Sequence, residues 1–293
     1  MASHRALDVA VPRAAAAAAV TVRLVAVDLD GTIVRRDRTV SPRVRQALRA
    51  CAERGVPVVV ATARRWVRTA ALVEDLQLRG HAIVAGGGAV RTVPGGRVEL
   101  GVALPRGVVD AAVRNMLECG LQPMVGAQHG EVQLSAGARR DTPSVARYLS
   151  RGATRRVPVA ELSAWPATRV LAMGPSALIH AAARRCTGLG RVLVQDAIFT
   201  HDAGGQRVLE LHVMAWDKGN ALHALCNQLG LSTGEAMAIG DAPSDLPMLE
   251  VAGVAVVMGQ ADAGMKRRGW TVAPGVDEDG AAWAIERFVL GGG

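Results

Sequence analysis

Short uninterrupted apolar runs recur along the chain, each ended by a turn or acidic residue and followed by a stretch long enough for a helix. The first lies within residues 22–32, VRLVAVDLDGT, and its Leu, Val and Ala positions fit a strand buried on both faces of a parallel sheet. Ser41-Pro42 then supplies a capping hydroxyl and a first-turn proline for a helix that Gly55 closes. Residues 56–61 repeat the strand pattern, and strand, helix, strand implies a right-handed crossover. A helix over about 64–77 and a strand over 81–85 are expected next. Gly86-Gly87-Gly88 breaks the alternation, and 89–100 reads as a hairpin turning at Pro94-Gly95-Gly96.

From there to 214 the order is mixed. A helix is expected at 105–119, strands around Met124 and Val132, and a helix at 142–149. Strands follow near Val170, Val192 and Val208, with a helix between the first two. Such an order predicts an α+β insert. Strict alternation returns with helix 218–229, strand 235–240, helix 244–252, strand 254–257 and closing helices. Residues 1–21 are therefore expected to form a disordered extension, 22–88 and 215–290 a discontinuous α/β core, and 89–214 the insert.

Half of the 293 residues are apolar, enough to bury a sizeable core. The 34 Lys and Arg outnumber 26 Asp and Glu, a net charge of +8. The basic residues are scattered and only 3% of the chain is aromatic, which argues against a nucleic-acid partner and for a small anion. Cys51, Cys119, Cys186 and Cys226 show no metal-binding or disulfide spacing, which fits a reducing cytoplasm. The alanine run 14–19 is short for a signal peptide, and no segment has the roughly 18 apolar residues of a membrane span.

The candidate chemistry gathers where strands end. Asp28 and Asp30 close the first run, and residues two apart in an extended chain point to one side, so their carboxylates are expected to converge. Such a pair needs compensation, for which Mg²⁺ with oxygen ligands is the natural candidate. Thr62 brings a hydroxyl to the end of the second strand, and Asp241, with Asp245 four residues on, closes a later one. Lys218 is one of two lysines in an arginine-rich chain, which suits a site needing a compact point charge. Each feature alone also fits a plain turn or helix start.

As a set, DLDGT (28–32), the Thr62 hydroxyl, DKGNAL (217–222) and GDAPSDLPML (240–249) resemble the haloacid dehalogenase-like phosphatase superfamily. Within it the chain is similar to the Cof-like branch, with an α/β cap inserted after the third core strand. EDGAAWAI (278–285) resembles that family's closing helix, and the resemblance covers 22–290. It implies an α/β fold with a Rossmann-like parallel-sheet core and an inserted α+β cap domain. It further implies Asp28 as nucleophile forming an aspartyl-phosphate and Asp30 as acid and then base. Thr62, Lys218 and Ser244 would bind phosphate. Mg²⁺ would be held by Asp28, the Asp30 carbonyl and Asp241, with Asp245 behind them.

Three positions depart from the family pattern: Ala63 stands where Gly is usual, Ser244 where Asn is usual, and Gly87-Gly88-Ala89 where Asn-Gly-Ala is usual. The expected function is a Mg²⁺-dependent phosphatase of a small phosphorylated metabolite such as a sugar phosphate. The alternatives are a phosphomutase or a non-catalytic binder of phospho-ligands or nucleic acid. No membrane partner is expected, and the chain is expected to be a monomer or homodimer. The insert is expected to act as a lid hinged at 86–88 and 214–217, with specificity near His129 and Arg139. The neighbouring Glu131, Arg140 and Asp141 read as surface-loop polarity, and His201-Asp202 as part of a hairpin turn. Lys218→Arg is expected to impair turnover with little change in melting temperature.

Overall fold

The first five strands, β1 (Leu24–Val27), β2 (Val58–Ala61), β3 (Gly80–Val84), β4 (Ala89–Val93) and β5 (Val98–Gly101), arise from the apolar runs and the hairpin after the glycines. The insert contributes β6 (Met124–Ala127), β7 (Val132–Ser135), β8 (Thr154–Val157), β9 (Ala167–Pro175), β10 (Arg191–His201) and β11 (Arg207–Met214). The chain then returns with β12 (Ala236–Gly240), β13 (Val254–Val257) and β14 (Thr271–Val272). This is a computed structural model that describes residues 21–127, 132–135, 141–150, 154–202 and 204–291. The expected extension over 1–21 lies, except for Thr21, outside those residues.

Two sheets result. The core sheet runs β14-β13-β12-β1-β2-β3-β4-β5, parallel from β14 to β3, with the β4–β5 hairpin antiparallel at its edge. The insert's sheet runs β10-β11-β9-β6-β7-β8 and is antiparallel apart from the β7–β8 pair. The α/β class with an inserted, mostly antiparallel sheet is thus present.

Alternation explains how β1 serves two cores at once. Val25 and Val27 pack on one side with the helices Pro42–Glu53 and Gly280–Phe288, while Leu24 and Ala26 pack on the other with the helix Lys218–Gln228. Fully burying each Val or Leu contributes roughly 1.5–3 kcal/mol, so β1 anchors the element that carries Asp28. In the insert, Val170, Ala172, Leu211 and Val213 pack beneath the helices Arg106–Glu118 and Ser176–Cys186. The opposite face of β9 and β11 therefore carries Arg169, Glu210 and His212, all buried.

Three local expectations change. The hairpin β4–β5 hydrogen bonds along the core sheet and not with the insert's sheet. The helix expected over 64–77 is a short turn at Trp66–Arg68 followed by the helix Ala70–Asp75. The Arg64 carbonyl accepts from Ala85 N at 2.8 Å, so it is spent on the strand end and not on a first helical turn. β8 and β14, short and weakly patterned, have no counterpart in the expected elements. His201-Asp202 falls in the β10–β11 hairpin as expected, with Asp202 accepting from Gly204 N and Gln206 N at 2.9 and 2.7 Å.

The two passages between sheets meet each other. Gly87 has φ +106°, and a Cβ there would lie 2.1 Å from the carbonyl carbon of Asp217, so only glycine fits where the outgoing chain touches the returning one. That close approach accounts for Gly87 in this chain. Among the described residues no helix is long and apolar enough to cross a membrane.

Candidate active site

β1 and β12 are adjacent and parallel, with Val27 opposite Ile239, so their carboxyl ends deliver Asp28 and Asp241 to one rim. The sheet order reverses between them: β1 leads to β2 and β3 on one side, and β12 to β13 and β14 on the other. Connections leaving in opposite directions open a crevice at such a point.

Lys218 enters from the helix Lys218–Gln228, whose start is held by Asp217 accepting from Asn220 N at 2.8 Å. Its Nζ donates to Asp28 Oδ1 and Asp245 Oδ1, both at 2.6 Å. Lys218 is 1% exposed, Asp28 6% and Asp245 0%. The second Asp245 oxygen accepts from Asp241 N and Ala242 N, each at 3.0 Å. Asp245 thus orients Lys218 with one oxygen and the loop carrying Asp241 with the other.

A carboxylate oxygen from each of Asp28, Asp241 and Asp245 lies within 4.8 Å of the others. Burial raises the Asp28 carboxyl well above its usual range; Lys218 opposes this, and Asp245 and Asp241 add to it. Burial, assisted by Asp245, pushes Asp241 up to about 6. Lys218 moves the other way: burial alone would lower it, but Asp245 and Asp28 hold its ammonium above the ordinary lysine value. Burial thus outweighs the pull of Lys218 on Asp28, and one ammonium stands among three acids. The set fits a divalent cation with oxygen ligands.

The loop after β1 is shaped around the same acids. Gly31 has φ +87°, and a Cβ there would stand 2.2 Å from Asp241 Oδ2, so the backbone passes directly against that carboxylate. Gln260 Nε2 donates to Asp241 Oδ2 at 3.2 Å and also to the Gly31 carbonyl, clamping loop and acid together. Gln260 carries no signal in the sequence.

Asp30 corrects the expected convergence of two carboxylates. The strand ends at Val27, so the two-residue alternation no longer holds at Asp30, whose side chain is 57% exposed and forms a two-pronged ion pair with Arg64. Arg64 is the residue that sequence reasoning missed here, although it stands two places after the expected Thr62. Thr62 is buried at the end of β2, its hydroxyl accepting from Arg64 N at 3.1 Å. Ser244 lines a cavity between the rim and the insert. In the insert, His129, Glu131, Arg139 and Arg140 lie outside the described residues, and Asp141 pairs with Arg156.

A family profile described as haloacid dehalogenase-like hydrolase matches residues 25–285. A phosphoglycolate phosphatase of Methanopyrus kandleri is 27% identical over 91% of this chain and 97% of its own length. The 5-amino-6-(5-phospho-D-ribitylamino)uracil phosphatase YwtE of Bacillus subtilis is 24% identical, over 92% of this chain and 99% of its own. Among solved structures, a haloacid dehalogenase-like hydrolase from Bacteroides thetaiotaomicron superposes with a TM-score of 0.73 at 24% identity, covering 91% of this chain and 99% of that one.

Proposed function

The chain belongs to the haloacid dehalogenase-like hydrolases, and from that membership we propose that its site hydrolyses the phosphate monoester of a small metabolite, a sugar or polyol phosphate, through an aspartyl-phosphate. It is a phosphoric monoester hydrolase by class, and relatives acting on phosphoglycolate and on a ribityl phosphate agree with small phosphorylated substrates. The observation that carries the proposal is the buried Lys218 ammonium bridging Asp28 and Asp245 at the switch point, with Asp241 beside them.

Asp28 attacks phosphorus with a carboxylate oxygen, and the bond from phosphorus to the ester oxygen breaks. Asp30 gives its proton to the departing oxygen, then as carboxylate takes one from the water that attacks the aspartyl-phosphate, releasing inorganic phosphate and restoring Asp28. To do so Asp30 must turn from Arg64, which otherwise holds it in solvent. Lys218 aligns Asp28 and, with Thr62 and Ser244, offers donors to the phosphoryl oxygens. A Mg²⁺ held by Asp28, the Asp30 carbonyl and Asp241, with Asp245 behind, would neutralise charge between two anions. The insert, which we place at 102–214 because β4–β5 pairs with the core sheet, supplies the surface that faces the leaving group. A cytoplasmic setting fits such a substrate.

The test is a screen of phosphorylated metabolites for phosphate release with Mg²⁺ and after chelation. Release that stops on chelation and returns with Mg²⁺ is expected; full activity after exhaustive chelation sinks the metal assignment, and isomerisation without release would mark a mutase. Gly31→Ala provides a second check on the Asp241 site. Its Cβ displaces the Asp241 carboxylate and the left-handed backbone strains, so the Mg²⁺ concentration for half-maximal activity should rise at least about tenfold. An unchanged Mg²⁺ titration would show that Asp241 does not hold the ion.

A further inference from the structure

Gln260 follows β13 at the rim of the core sheet, and its exposed side chain is held from three directions. Nε2 donates to Asp241 Oδ2 at 3.2 Å and to the Gly31 carbonyl, while Oε1 accepts from Val276 N at 3.0 Å. Two acceptors and one donor thus face it, and a primary amide answers both kinds with one planar group. A carboxylate in its place would bring no donor to Asp241, and an ammonium no acceptor to Val276. An exposed glutamine is ordinarily free to turn, so three simultaneous bonds set this one apart from a solvated surface residue.

The amide is delivered from a fixed base. Met258 N donates to the Gly240 carbonyl at 3.0 Å and Gly259 N to the Pro274 carbonyl at 3.3 Å. Lys266 Nζ donates to the Gly259 carbonyl at 3.0 Å.

What the amide reaches is held less firmly. Asp245 fixes the backbone N of Asp241, but the Asp241 side chain has, besides Gln260, only the Thr32 hydroxyl at 3.5 Å among the described residues. Gly31 N donates to the Val34 carbonyl at 2.9 Å, and the Gly31 carbonyl accepts from Gln260. The Asp30 carbonyl belongs to the peptide that ends at Gly31, so a clamp on Gly31 restrains that carbonyl too. One amide therefore sets the spacing between two of the three groups given above to the cation.

Mg²⁺ demands near-octahedral geometry at about 2.0–2.1 Å, whereas Ca²⁺ accepts irregular arrangements at about 2.3–2.6 Å. Ligands tied at a fixed spacing favour the smaller ion, and the same ligands untied favour the less demanding one. Resting on the metal assignment proposed above, we infer that Gln260 is a positioning residue that holds Asp241 and the Gly31 loop at the spacing Mg²⁺ needs, and so discriminates against Ca²⁺.

The experiment follows the melting temperature of the full chain, free of substrate, against added Mg²⁺ or Ca²⁺ at constant ionic strength, in wild type and in Gln260→Met. Methionine has nearly the length of glutamine and none of its hydrogen bonds, and at an exposed position it leaves the fold intact. The concentration dependence of the shift yields each dissociation constant. The Mg²⁺ constant should weaken about tenfold, and the ratio of the two constants should move at least about threefold toward Ca²⁺. The Mg²⁺ concentration for half-maximal phosphate release from p-nitrophenyl phosphate should rise in parallel. A side chain serving the fold alone would lower the melting temperature equally at every cation concentration and leave both constants in place. A ratio held within about threefold of wild type, whether both constants stay or both weaken, overturns the inference and leaves the metal site standing. A wild-type chain whose melting temperature does not respond to Mg²⁺ overturns the metal assignment and the inference with it.

Discussion

Asp28→Asn should lower phosphate release by a factor on the order of 10⁴ or more, because an amide of nearly the same shape cannot form the acyl phosphate and no other carboxylate takes its place. Asp241 and Asp245 are close, but Asp245 is engaged by Lys218 and two backbone amides, and Asp241 by Gln260. Stability should move the other way or not at all. Asp28 is a buried acid, and its amide removes a charge that burial disfavours, while Lys218 keeps Asp245 as its partner. Phosphate release and a melt followed by circular dichroism, both on the purified variant, make the check. Turnover above a tenth of wild type would remove the covalent mechanism, and a melting temperature lowered by ten degrees would show that the aspartate serves the fold.

Lys218→Ala has the largest expected effect on stability. The ammonium is the only cation bonded to Asp28 and Asp245 among the described residues, and breaking a buried pair by deleting one partner costs about 3–5 kcal/mol. For a domain of this size that corresponds to a fall in melting temperature of roughly ten degrees. This departs from the expectation that Lys218 acts on turnover alone: sequence placed it at a helix start, and a helix start is ordinarily solvated. Lys218→Arg keeps the charge but asks a planar fork to replace a point donor between two oxygens each 2.6 Å away, in a pocket with 1% exposure. A shift of about 1 Å in the nucleophile costs on the order of a hundredfold in rate. Hence Arg should lose about a hundredfold in kcat and less stability than Ala. Near wild-type kinetics for Arg would return Lys218 to a purely structural role, and added Mg²⁺ that restored the Ala variant's melting temperature would show cation and lysine sharing the neutralisation of the same acids.

The departures from the family pattern divide once the neighbours are visible. Gly87 is required by the contact with Asp217, whereas Ser244 lines the cavity between the rim and the insert. Ala63 offers its carbonyl to Arg169, which ties the end of the β2 motif to the insert's sheet. The position after Thr62 thus links the two sheets.

Sequence alone determined the elements whose causes are local. The apolar runs of β1, β2, β12 and β13 are long enough, and bounded clearly enough, that period and turn residues settle them, and strand-helix alternation then leaves a parallel sheet. The acids at strand ends follow from the same logic: Asp28 and Asp241 had to reach the rim that their strands reach, whatever the insert did. Tertiary structure alone decided what depends on residues far apart in the chain. Whether Asp30 faced Asp28 or solvent turned on Arg64, 34 residues away, and the hold on Asp241 came from Gln260 across the Gly31 loop. Whether Lys218 was solvated or buried turned on Asp28, 190 residues distant. The Glu210–His212 pair is visible as two residues on one strand face, but only the arrival of Gln195 and Arg169 beside it decides which groups hold the buried carboxylate. Hydrophobic period carries information about the chain's immediate neighbours, and the partner of a buried charge is chosen by the fold that closes around it.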